Sequence, residues 1–111
     1  MDAPLQRKLL GLLGLGARGR LVVVGVNQVR DAAMRGTLVL AVVAPDVSRH
    51  SLDKVVPLLR AKRVMMLEGP SGAQLGSAVG RNTTAVVGVV DRQLAKGIRA
   101  LVETGPDRGR E

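Results

Sequence analysis

The sequence predicts an α/β protein, a three-layer α/β/α sandwich with helices on both faces of a four-stranded sheet. Short apolar runs and amphipathic stretches alternate along the chain in the order αβαβαβαβα, the pattern of layered α/β domains. The 111 residues are 46% hydrophobic, which suits a single domain with one core. That domain is expected over residues 1–103. The remainder, 104–111, runs Thr104-Gly105-Pro106-Asp107-Arg108-Gly109-Arg110-Glu111, has nothing to bury and is expected to be a disordered tail.

Each element has its own signal. Leu5, Leu9, Leu12 and Leu13 fall at helical spacing, so a first helix is expected from Pro4 to Leu13. The run Leu21-Val22-Val23-Val24 reads as a buried strand, and Gly25 lets the backbone turn sharply after it. Asn27 has the side chain of an N-cap for a second helix, with Val29, Ala32 and Ala33 inward and Gly36 as its stop. Thr37 to Val43 is a second strand, apolar enough to be covered on both faces. Ser48 caps a third helix in which Leu52, Val55, Val56 and Leu59 repeat at i, i+3, i+4 and i+7. Val64 to Leu67 is a third strand, closed by the turn signal Glu68-Gly69-Pro70-Ser71-Gly72. A short helix with Leu75, Ala78 and Val79 inward stops at Gly80. The polar loop Arg81-Asn82-Thr83-Thr84 then leads to a fourth strand, Ala85 to Val90. Asp91 caps a last helix whose inner face is Leu94, Ile98, Leu101 and Val102.

Composition narrows the function. No apolar run is long enough to span a membrane, and the N-terminus lacks the features of a signal peptide, so a cytoplasmic protein is expected. The absence of cysteine excludes disulfides, thiolate catalysis and cysteine zinc sites. A net charge of +8, from 17 Lys and Arg against 9 Asp and Glu, favours a polyanionic partner. There is no aromatic residue, which removes the stacking platforms of sheet-face RNA readers. Any nucleic acid is therefore held by cations, amides, backbone N–H groups and aliphatic contacts.

The stretch Gly25-Val26-Asn27-Gln28-Val29-Arg30 puts such groups together. A strand, a tight turn and a helix start expose N–H groups at the positive end of a helix dipole, suited to phosphate. Asn27 and Gln28 add amides for base edges, and Arg30 adds a cation for the backbone. Taken alone, the same residues also describe a capped helix with a solvated polar end. The stretch Gly14-Leu15-Gly16-Ala17-Arg18-Gly19 spells the dinucleotide pattern G-x-G-x-x-G. It follows a helix and leads into a strand, the reverse of the context that motif needs. It is expected to be a flexible basic connection, with Arg18 and Arg20 as phosphate contacts. His50 has no second histidine or cysteine to complete a metal site and is expected on the surface.

The order of elements together with several local stretches resembles the ribosomal protein L-seven-Ae family, α/β/α domains that recognise kink-turn RNA, and its bacterial ribosome-associated members in particular. The residues that carry the resemblance are Leu10-Gly11-Leu12 and Gly25 to Arg30. The strand end from Val42 to Asp46 and Leu75-Gly76-Ser77-Ala78-Val79-Gly80, leading to Ala85-Val86-Val87, complete it. It spans about residues 4–103. The resemblance implies a mixed rather than all-parallel sheet and two RNA-contacting places. One is the helix start with Gly25, Val26, Asn27, Gln28 and Arg30, where amides meet sheared G·A pairs and the cation meets phosphate. The other is the loop from Gly80 to Thr84, with Arg81, Asn82 and Thr83. The chain departs from the family at Gln28, where many members carry Glu, at Ser48, often acidic, and at Gly72, commonly Lys.

The expected function is a non-enzymatic protein that binds structured RNA, ribosomal or kink-turn, without metal, cofactor or membrane, and with the ribosome as a place of assembly. One alternative is a protein-interaction module of the same fold without RNA affinity. The other is a phosphate-handling enzyme at the Gly25 turn, which lacks the G-x-x-x-x-G-K sequence.

Overall fold

The apolar runs of the sequence all become strands, and the helices between them close over both faces. The structure, a computed structural model, describes residues 1–103; the tail expected at 104–111 lies outside the described residues. The elements are α1 (Ala3–Arg18), β1 (Val22–Val24), α2 (Val26–Arg35), β2 (Leu40–Val43) and α3 (Arg49–Ala61), followed by β3 (Met65–Glu68), α4 (Gly72–Ala78), β4 (Val86–Val89) and α5 (Arg92–Glu103).

The sheet has the order β1-β4-β2-β3. β2 and β3 are parallel, and β4 is antiparallel to both its neighbours, β1 and β2. The sheet is thus mixed, as the family resemblance implies. A helix that returns the chain to its starting end makes the next strand parallel. α4 does not do so: its seven residues rise only about 10 Å. The chain then folds back along it, and Thr84 N–H reaches the Gly72 carbonyl at 3.1 Å, so β4 starts at the end where β3 finished. As a result the exits of β1, β2 and β3 and the entry of β4 share one end of the sheet.

Alternation along the strands feeds two cores. Leu40, Val42, Val87 and Val89 pack with Leu9 and Leu13 of α1, Leu75 of α4, and Ala95 and Ile98 of α5. Ala41, Val43 and Val86 pack on the other face with Val29, Ala32 and Ala33 of α2 and Val55 and Leu59 of α3. Every residue of β2 and β4 is buried, consistent with strands covered on both sides. Ser48 caps α3, its side chain accepting Ser51 N–H, and Asp91 accepts Leu94 N–H at 2.8 Å ahead of α5.

Several details of the sequence reading shift in the structure. The glycine-rich stretch is no flexible connection, because α1 continues through it to Arg18. Gly14 and Gly16 are buried, and a Cβ on Gly16 would stand 2.5 Å from Leu94 Cδ2 and 3.0 Å from Val22 Cγ1. The glycines let α1 lie close against α5 and β1, and that packing offsets their low helix propensity. β2 begins at Leu40 rather than Thr37, because Thr37 is occupied in ending α2: its N–H and its hydroxyl both reach the Ala32 carbonyl. The buried stripe of α3 is centred on Val55 and Leu59, with Leu52 and Val56 half-buried at its margins.

Among the described residues no helix is long and apolar enough to cross a membrane. The only ion pair among them joins Asp31 and Arg35 at 3.0 Å, both largely exposed, and such a pair contributes about 0.3–0.5 kcal/mol.

The placement of α3 can be tested through its two valines. Val55 is fully buried, so Val55→Asp leaves an unpaired charge in the core and is expected to cost about 3–5 kcal/mol. Val56→Asp, at the margin, is expected to cost clearly less. Urea denaturation followed by circular dichroism gives both values, and equal losses would contradict the burial pattern.

Candidate nucleic-acid interface

The end of the sheet shared by the exits of β1, β2 and β3 is where the helix start at residues 25–30 and the loop before β4 meet. Gly25 turns the chain from β1 into α2 with φ 93°, a value that side chains disfavour, and its N–H is bound by the Val86 carbonyl at 2.9 Å. That bond ties the start of α2 to the first residue of β4. The loop before β4 is thereby brought beside Asn27 and Gln28, although more than fifty residues separate them in the chain.

The helix start differs from the expectation in one respect. Gly25, not Asn27, is the N-cap of α2, and no side chain caps it. Asn27 lies inside the first turn, exposed, with its amide free of a capping bond. Val26 is half-buried and packs into the α2–α3 core, which fixes the turn from within. Gln28 is exposed, and its side-chain carbonyl accepts the Val24 N–H at 3.1 Å. β1 is an edge strand, so this bond satisfies an outward backbone donor there. It also commits the acceptor end of the Gln28 amide and leaves the NH2 end for a ligand. Arg30 is exposed one turn on, and its guanidinium donates to the Lys54 carbonyl of α3. One of its five donors is thus used to brace α2 against α3.

The second segment is built on α4. Ser71 and Gln74 form a reciprocal capping box at its start, and Asp46, in the turn after β2, accepts the Gly72 N–H at 2.8 Å. Asp46 thereby fixes the β2–α3 turn to α4. Its role depends on a partner 26 positions away and carries no local sequence signal. Gly76 lets the loop lie directly on the helix, since a Cβ there would stand 2.7 Å from the Thr83 backbone nitrogen and Cα. Arg81 N–H bonds the Gly76 carbonyl at 2.7 Å. Arg81, Asn82 and Thr83 are therefore exposed on a backbone held at both ends, while Thr84 turns inward and is buried.

Arg18 and Arg20 are not part of this cluster. Both precede β1, so they lie beyond the end of that strand opposite Gly25. Arg18 is in the last turn of α1 and lines a hollow with Ala17, Ser77 and Gly80, the residue that opens the loop before β4. Arg20 takes the left-handed position that terminates α1, with φ 61°. The expectation of phosphate contacts at Arg18 and Arg20 therefore concerns a place apart from Asn27, at the other end of β1. His50 is exposed at the start of α3. Among the described residues no group of three or more His, Cys, Asp and Glu side chains could hold a metal ion.

The cluster thus consists of amide, hydroxyl and guanidinium groups on rigid backbone, with no nucleophile–base pair. Such an arrangement can bind and orient a polar ligand through hydrogen bonds. The fold that carries it is shared with solved structures. A protein of unknown function from Bacillus halodurans superposes with a TM-score of 0.79 at 29% identity, covering 86% of this chain and 97% of that one. A Giardia lamblia 15.5kD RNA binding protein superposes with a TM-score of 0.78 at 22% identity, covering 92% of this chain and 88% of that one. No curated protein sequence matches the chain. The sequence pattern of the ribosomal protein L7Ae/L30e/S12e/Gadd45 family matches residues 7–98, nearly the whole of the described domain. The chain belongs to that family.

Proposed function

We propose that this chain is a non-enzymatic, cytoplasmic RNA-binding protein of the ribosomal kind, which holds structured RNA as a kink-turn reader does. The RNA lies against the end of the sheet where α2 begins and the α4–β4 loop returns. The observation that carries the reading is the convergence of these two segments, joined by the Gly25 N–H to Val86 carbonyl bond. Family membership and the net charge of +8 support it, and the Giardia relative of the same fold is an RNA binding protein. Within the site, Asn27 and the NH2 end of Gln28 read base edges. Arg30 and Arg81 hold phosphates, and Asn82 and Thr83 contact the RNA from the loop. The engagement of Arg30 with α3 favours the runner-up, a protein-interaction module, because it commits part of one phosphate contact to the fold.

Base reading is tested by competition between a kink-turn RNA and the same RNA with its G·A pairs made Watson–Crick, at one salt concentration. The parent protein is expected to prefer the kink-turn. Asn27→Ala is expected to lose about 1–3 kcal/mol of that preference while keeping general affinity. Equal binding of the two RNAs by the parent protein would sink the kink-turn reading, and no binding of either would favour the interaction module.

Gln28→Glu is expected to sharpen the preference. A carboxylate keeps one oxygen on Val24 N–H and offers the second to guanine donors, which the present amide carbonyl cannot do. An unchanged or weaker preference would show that Gln28 serves the edge of β1 alone.

Gly76→Ala tests the loop. Its methyl would push Thr83 off α4, at an overpacking cost of about 1–3 kcal/mol, and RNA affinity is expected to fall in a domain that still folds. Parental affinity in a folded Gly76→Ala protein would remove the loop from the interface.

A further inference from the structure

A second surface, unused by the site above, lies along α5. A groove runs between that helix and the segment that leads into β2, with Gly36, Leu38 and Val39 on one wall and Arg92, Lys96 and Arg99 on the other. The three cations are spaced i, i+4 and i+7, so they share one face over about 10 Å of helix. All three are exposed, and none takes part in an ion pair, the only one among the described residues being Asp31–Arg35. Segment 36–39 precedes β2 and α5 follows β4, so the groove starts at the end of the sheet opposite Asn27.

Helix stability gives no reason for this charge pattern. Arg92 stands in the first turn of α5, at the positive end of the helix dipole, and Glu103 stands at the negative end. Both placements work against the dipole. In α1, α2 and α3 the basic residues of the last turn, Arg18, Arg35 and Arg60, have the favourable placement. On α5 Arg92 opposes the helix dipole, and Arg92, Lys96 and Arg99 all line a concave surface.

We propose that the groove between α5 and residues 36–39 is a second RNA site, where Arg92, Lys96 and Arg99 take the phosphate backbone of a helix flanking the RNA held at the other end of the sheet. The proposal rests on the RNA-binding reading above. Charge selects the occupant: the cations ask for a polyanion, and three contacts on one helix face suit consecutive phosphates. A lipid surface would be held only weakly by three cations without apolar side chains to insert. The large apolar residues exposed among the described ones, Met1, Leu15 and Met34, do not line the groove. Glu103 closes one end of it and limits the contact by repulsion.

The test uses two RNAs: one ends at the kink-turn, and the other carries a full helical turn of duplex on each side of it. The triple variant Arg92→Ala, Lys96→Ala, Arg99→Ala replaces exposed side chains only, so its thermal unfolding is expected to match the parent's. It should bind the short RNA as the parent does. It should bind the long RNA about tenfold more weakly, with the slope of log affinity against log salt reduced by about two to three units. Glu103→Gln should strengthen binding of the long RNA alone. If the triple variant binds the long RNA with the parent's affinity and slope, the proposal fails while the RNA-binding reading stands. If the parent binds neither RNA, both fail. A triple variant that binds RNA normally but loses retention on phosphatidylserine vesicles overturns the proposal and assigns the groove to a membrane surface.

Discussion

β4 is hydrogen-bonded along both edges, to β1 on one side and β2 on the other, and it runs against both. Its direction decides what else the fold can do. With β4 reversed, the loop that feeds it arrives beside the start of α2; in an all-parallel sheet that loop would lie at the far end. The reversal follows from α4, whose seven residues are too few to carry the chain across the sheet. The capping box at Ser71 and Gln74 and the carboxylate of Asp46 fix where that helix begins. A local choice of helix length thus assembles two distant segments into one surface.

The core that supports this surface is aliphatic, with no aromatic residue to fill volume. Close approach replaces bulk. Gly16 brings α1 against Leu94 and Val22, and Gly88 brings Leu38, Val23 and Val29 onto the sheet, its missing Cβ leaving contacts that would otherwise fall at 2.6 to 3.1 Å. Dense packing of small and branched side chains makes such interiors sensitive to added methyl groups. The same economy seats the loop before β4, which lies directly on the buried Gly76.

Much of this was legible in the residues. The valine runs, the Ser48 and Asp91 caps and the inward faces of α3 and α5 follow from spacing and propensity, and the structure keeps them. Misreadings arose where a long-range contact overrides a local signal. Asn27 has the chemistry of a cap, yet the backbone turns earlier, at Gly25, because Val86 takes its N–H. Gly14 and Gly16 read as a break, yet partners on α5 and β1 make the helix worth continuing. Arg18 and Arg20 read as a flexible basic connection, yet Arg18 belongs to the last turn of α1 and Arg20 to its left-handed end. The cations of α5 are spaced plainly enough, but the wall opposite them comes from residues more than fifty positions earlier.

The single exposed ion pair among the described residues has a consequence for how salt would act on the protein and on the proposed RNA complex. Added salt screens the mutual repulsion of an excess of positive charge and strengthens apolar burial, so the folded domain loses little and can gain. The same salt replaces the counterions that a bound nucleic acid has released, and so loosens the complex. Ionic strength therefore acts on adhesion and leaves architecture intact. On the proposed function, salt would strip the protein from its RNA in the native state, ready to bind again on dilution.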